Sequence, residues 1–156
     1  MLVESAENLV LPATTLKNYC YRALFSWCTT LSKAPALPAT TLAQGCYWYM
    51  FEQCAITESP VLNAETLVQE CYGHMFEGCA LLNTVTCYAT GGFSTSNAKT
   101  NWLTGVSATG TFVKAPGVTG WGNGVSGIPT GWTVYENVLI RDPEVSFDGE
   151  TIELSC

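Results

Sequence analysis

The residues best able to do chemistry in this chain are its eight cysteines and its single histidine. Six cysteines form two series, Cys20, Cys46 and Cys71, then Cys28, Cys54 and Cys79, with seven residues between the two members in each unit. Thiolates binding zinc are usually two to four residues apart, so no metal site is expected. If the intervening residues are helical, eight positions span about 12 Å, beyond the reach of a disulfide. Two arrangements remain open: columns of free thiols buried as small hydrophobes, or bridges between equivalent cysteines of adjacent units. His74, with Glu70 and Glu77 close by, has the residue types of an acid–base pair. Its slot holds Ala23 and Tyr49 in the other units, however, which marks an exposed position. The glycine-rich stretch Gly117–Gly131 has no lysine and no following helical pattern, so it reads as a turn-rich cap and not a phosphate cradle. The chain is therefore read as a non-enzyme without a cofactor.

These residues recur because the chain repeats. Leu11-Pro12-Ala13-Thr14-Thr15-Leu16 returns as Leu37-Pro38-Ala39-Thr40-Thr41-Leu42, and in altered form as Leu62-Asn63-Ala64-Glu65-Thr66-Leu67. Cys20-Tyr21, Cys46-Tyr47 and Cys71-Tyr72 align, as do Leu24-Phe25, Met50-Phe51 and Met75-Phe76; the spacing is 26 residues, then 25. A partial fourth unit starts at Cys87, and Val3–Ala6 matches Leu31–Ala34, so the chain is expected to begin within a unit. A repeat of this length points to units that bury their apolar faces against each other.

In the second unit Leu42, Cys46, Met50, Phe51 and Cys54 fall three or four apart, which predicts one face of a helix entered at Thr40-Thr41. A short extended segment follows, kept irregular by Pro35 or Pro60. The expected fold is an α/β solenoid of leucine-rich repeats, a short strand and a helix in each, closed by an irregular β cap. The expected divisions are repeats over 1–87, a C-terminal cap region over 88–135, and a linker with a hairpin over 136–156.

Phe25-Ser26-Trp27-Cys28, Phe51-Glu52-Gln53-Cys54 and Phe76-Glu77-Gly78-Cys79 resemble the aromatic-x-x-Cys ending of BspA-like, Treponema pallidum-type leucine-rich repeats of bacterial surface proteins. The Leu-Pro-Ala-Thr-Thr-Leu and Cys-Tyr-x-x-Met-Phe wording is similar to a subgroup of gut Bacteroides and their phages. Asn101–Val106 with Gly127–Trp132 resembles the region that closes such arrays. Val145–Phe147 and Ile152–Leu154 around Asp148-Gly149 resemble the first hairpin of a chitobiase-C-terminal-like, Ig-type domain. Two strands do not complete a sandwich, so a longer parent protein is expected.

Charged residues are only 12% of the chain against about 25% in average proteins, and the net charge is −7. Without a basic patch, nucleic acid is excluded as a partner; without a long apolar run, membrane insertion by a helix is not expected. Residues 1–5 do not read as a secretory leader. Tyr21, Tyr47, Tyr72, Phe25, Phe51 and Phe76 recur in register and read as core, and Trp102, Trp121 and Trp132 as packing over the last unit. Trp27, Trp48 and Tyr49 do not recur. With His74 they form the candidate ligand-binding set, able to stack on a sugar or anchor a protein. The resemblance implies adhesion at a cell surface, with a host protein or glycan as partner. Two other roles compete: a spacer or receptor-binding part of a phage tail fibre, located on the virion, and an accessory module of a carbohydrate-active enzyme. End-to-end self-association through uncapped repeats is also expected.

Overall fold

A computed structural model describes residues 2–137. The 145–154 hairpin and Cys156 lie outside the described residues. Three strands, β1 (Thr84–Cys87), β2 (Gly110–Lys114) and β3 (Trp132–Glu136), form one open parallel sheet in the order β1-β2-β3. Val85 pairs with Phe112, and Phe112 with Val134. Their sequences, TVTC, GTFVK and WTVYE, are rich in the β-branched and aromatic residues that suit a pleated surface. The other described residues lie in turns, bends, isolated bridges and irregular backbone.

The chain is thus not an α/β solenoid of leucine-rich repeats with a helix in each unit: no helix occurs among the described residues. The reason lies in where the amides go. In the second unit the N–H groups of Cys46, Trp48, Met50, Glu52 and Cys54 donate three residues back, to Ala43, Gly45, Tyr47, Tyr49 and Phe51. The alternate N–H groups, of Gly45, Tyr47, Tyr49, Phe51 and Gln53, leave the segment and donate to Gln69, Cys71, Gly73, Met75 and Glu77. A helix needs every amide bonded four residues back; here half of them tie one unit to the next. Overlapping turns result, and every fourth residue takes a positive φ: Tyr19, Ala23 and Trp27; Gly45, Tyr49 and Gln53; Glu70, His74 and Gly78. The pattern runs on through Asn97, Asn101 and Gly105, inside the region expected to be an irregular cap.

The Thr-Thr pairs cap no helix either. Thr15 bridges Thr41 in parallel, and the amides of Thr40 and Thr41 both donate to Thr14. Similar bridges join Ser5 to Lys33, Glu58 to Thr84 and Leu62 to Cys87, so each unit pairs with its equivalent one repeat later.

Between these paired walls lies the core. Leu42, Cys46, Tyr47, Met50, Phe51 and Cys54 are buried, and the residue pairs between them face outward or partly outward. Aromatic rings stack in files down this core: Phe25 on Phe51 on Phe76, and Tyr21 on Tyr47 on Tyr72 on Trp102, at centroid distances of 5.5–6.1 Å. Trp102 follows Phe76 in backbone register, since the Phe76 amide donates to its carbonyl, while Ala98 follows Tyr72. The small Ala98 leaves room for the indole to swing onto Tyr72. Trp121 then stacks on Trp102 at 5.5 Å, and the Trp102 indole N–H donates to Gly127 O at 2.9 Å.

Candidate ligand-binding surface

The turn tips carry the candidate site. In the turn Tyr47–Met50, Trp48 and Tyr49 are the two central residues, with Tyr49 at φ 57°. In the next unit the same two slots hold Gly73 and His74, and in the preceding unit Arg22 and Ala23. Because units align in register, each slot becomes a column. Arg22 lies over the Trp48 ring at 4.8 Å, and the Trp48 ring in turn rests against Gly73, where a Cβ would touch Trp48 Cδ1 at 3.5 Å and crowd Asn97 O at 3.3 Å. Beside it, Tyr49 stacks on His74 with centroids 4.5 Å apart and planes 14° from parallel, and Trp48 stacks on Tyr49 at 5.5 Å. A third column runs from Tyr19 past Gly45 to Glu70; the Tyr19 ring fills the space that a side chain at Gly45 would need.

Polar groups surround these rings. His74 Nδ1 meets the Glu77 carboxylate, Ser26 Oγ donates to Glu52 at 2.7 Å, and Gln44 Nε2 donates to Glu70 at 3.3 Å. Partial burial, then the Glu77 and Glu52 carboxylates, push the Tyr49 phenol up, against the pull of Arg22. The phenol is therefore a neutral hydroxyl donor at neutral pH. Trp48, Glu70, Gly73, His74, Asn97 and Thr100 line a recess of about 140 Å³. It offers an indole N–H, a carboxylate, an imidazole, a carboxamide and a hydroxyl, a mixture of donors and acceptors.

Of the candidates, Trp48, Tyr49 and His74 come together. Trp27 does not: it is 62% exposed, and its ring joins none of the described stacks. Glu70, expected close to His74, lines the recess with it, whereas Arg22, Asn97 and Thr100 were not expected here. They were findable from the alignment of units, which sets Arg22 beside Trp48 once the units are known to lie side by side. Five of the six column cysteines, Cys28, Cys46, Cys54, Cys71 and Cys79, are buried as free thiols; Cys20 is exposed in the first turn segment. Cys54 and Cys79 donate to the Phe25 and Phe51 carbonyls one unit back, at 3.1 and 3.0 Å. Burial pushes these two thiols up to about 12, so they are hydrogen-bond donors and poor nucleophiles. Trp102, Trp121 and Trp132 are all buried and present no stacking surface to solvent.

No family model matches the chain, and no similar protein emerges among curated proteins or solved structures.

Proposed function

We propose that the chain is a recognition module of an exposed bacterial surface, which binds a host glycan or glycosylated protein and does no chemistry on it. The observation that carries this reading is the stacking of Tyr49 on Trp48 and His74 beside a recess that Trp48 and His74 line with Glu70, Asn97 and Thr100. Sugar hydroxyls both donate and accept, so they match a recess that mixes both roles, and ring edges supply apolar contact for the sugar face. The resemblance to BspA-like surface proteins points to the same role. Cross-unit backbone hydrogen bonds fix the turns that carry these side chains before a ligand arrives, which lowers the cost of binding.

The test is binding of the chain to an array of host glycans and mucin or matrix proteins, beside a Trp48→Ala, Tyr49→Ala variant. Specific binding that falls at least about tenfold in the folded variant, or about 1.4 kcal/mol, is the expected outcome. Binding that persists in the variant moves the site elsewhere. A folded chain that binds nothing favours the spacer role.

A further inference from the structure

The cysteine columns are not uniform. Among the described residues Cys20 is the exposed thiol, and Cys28, Cys46, Cys54, Cys71, Cys79 and Cys87 are buried. Three of the buried thiols are occupied: Cys54, Cys71 and Cys79 donate to Phe25 O, Ala98 O and Phe51 O in neighbouring units. Cys46 is fully buried, and its thiol donates to no acceptor among the described residues. It shares this with Cys28 and Cys87, but of the three Cys46 stands in the column of the exposed Cys20 and one unit away from it.

Backbone pairing sets Cys20 against Cys46. The Tyr19 and Tyr21 amides, on either side of Cys20, donate to Gln44 O at 2.9 Å and Cys46 O at 3.0 Å. Chains hydrogen-bonded side by side lie about 4.8 Å apart, inside the window of about 4.4–6.8 Å between the Cα atoms of a disulfide. The side chains that follow run alongside each other: the Tyr21 and Tyr47 rings stack at 6.0 Å with planes 14° apart. Burial, with the nearby Cys20 adding to it, pushes the Cys46 thiol up to about 12. Attack on an outside partner therefore falls to the exposed thiol, and the buried one can act only after it.

We infer that Cys20 and Cys46 form a site of thiol–disulfide exchange, which takes a low-molecular-weight disulfide and ends with Cys20 bridged to Cys46. In the first step the Cys20 thiolate attacks one sulfur of the small disulfide. That S–S bond breaks, one small thiolate leaves, and Cys20 holds the other half as a mixed disulfide. In the second step Cys46 gives its proton to solvent and attacks the Cys20 sulfur, and the second small thiolate leaves. Two protein thiols are oxidised and one small disulfide is reduced to two thiols. The bridge ties together two segments whose Arg22 and Trp48, two residues further on, already pack on each other. Neither cysteine lines the recess of Trp48 and His74, so the site is independent of glycan binding.

The test is incubation of the reduced whole chain with oxidised glutathione, followed by peptide mapping under non-reducing conditions. A linked Cys20–Cys46 peptide is expected, with no glutathione on either residue. Cys46→Ala, which keeps a small apolar side chain in the core, is expected to stop at glutathione on Cys20; Cys20→Ser is expected to leave Cys46 a free thiol. The bridged chain is expected to unfold at a higher urea concentration than the reduced chain, because the cross-link constrains the unfolded state. Three mapping results on the unaltered chain would each overturn the assignment, whether or not the variants fold. They are free thiols at both residues, glutathione that stays on Cys20, and Cys20 bridged to any other cysteine, Cys156 or a second copy's Cys20 included. A lower urea midpoint for the bridged chain would overturn it as well, since the two residues would then not be placed for a bridge.

Discussion

Ala23 carries a backbone conformation that L-residues avoid, with φ at 53°. In a helix, replacing it by glycine costs about 1 kcal/mol. In the turn it occupies, glycine relieves a left-handed strain of about 1–2 kcal/mol and gives back about 0.5–1 kcal/mol in unfolded-chain entropy. Ala23→Gly is therefore expected to be neutral or to stabilise by up to about 1.5 kcal/mol, read as a higher midpoint in urea. A loss of stability would speak for a helix at this segment. Gly78→Ala goes the other way: its φ is 74°, and the new Cβ would fall on the Gln53 amide. The buried thiols make a second residue-scale prediction. Burial raises Cys46, Cys54, Cys71, Cys79 and Cys87 from 9.0 to about 12. A raised folded value means that the folded state holds the proton more tightly than the unfolded one. This stability is fully present below pH 9 and is lost as pH climbs toward 12. Thermal melts at about pH 7.5 and about pH 10.5 should show a marked fall in Tm at the higher value; equal Tm values would mean that the thiols are not buried.

The turn segment is the element that misled the sequence reading, and the misreading has a definite cause. Leu42, Cys46, Met50 and Cys54 recur at four residues, and all are buried. A helix advances 100° per residue, so a strict spacing of four drifts by about 40° at each step and about 120° over these residues. Two overlapping turns also advance by four residues but return each side chain to the same face. The glycines were a second signal: Gly45, Gly78 and Gly105 all sit at positive φ in register with the other four-residue positions, as do Asn97 and Asn101. Glycine and asparagine tolerate this region best. The pairing of Ala98 with Trp102 is an element-scale compensation, one large ring covering two files. Trp102→Ala is expected to cost about 3–5 kcal/mol, because it uncovers both Tyr72 and Phe76. Ala98→Tyr restores the file residue of the other units but collides with the indole, and should cost about 1–3 kcal/mol. Chemical denaturation of both variants checks the pair; a harmless Ala98→Tyr would show that the indole does not fill this space.

Across the whole molecule, hydrogen-bond polarity runs one way. The carbonyls of Gln44, Cys46, Trp48, Met50 and Glu52 each accept from the unit before. Their equivalents at Asn18, Cys20, Arg22, Leu24 and Ser26 meet no amide among the described residues. This edge is a row of acceptors flanked by the exposed Leu24 and Trp27. Two such edges facing each other would oppose oxygen to oxygen, which works against a symmetric dimer despite the apolar surface. A head-to-tail contact would meet the opposite end, where the Asn101 and Leu103 amides already donate to Ser126 Oγ and Val125 O but those of Asn97, Lys99 and Gly105 meet no acceptor among the described residues. Self-association is therefore expected to run head to tail, read in sedimentation as a concentration-dependent series of oligomers; a closed symmetric dimer would show that apolar burial outweighs the unmet carbonyls.

The sequence by itself determined the unit, its length of 25 or 26 residues, and which side chains share a column. Register pairing of Leu62 with Cys87, the files of Tyr and Phe, and the neighbourhood of Tyr49 and His74 all follow from that alignment. What the tertiary structure alone decided is the backbone between those points. An amide four residues from one carbonyl and beside another in the next unit can bond to either. Local residue types do not settle that choice, because the competing acceptor lies 25 or so residues away and exists only once the units are side by side. A groove lined by Thr40, Asn63, Glu65 and Tyr88 belongs to the same category: these residues come from three successive units and meet only across them.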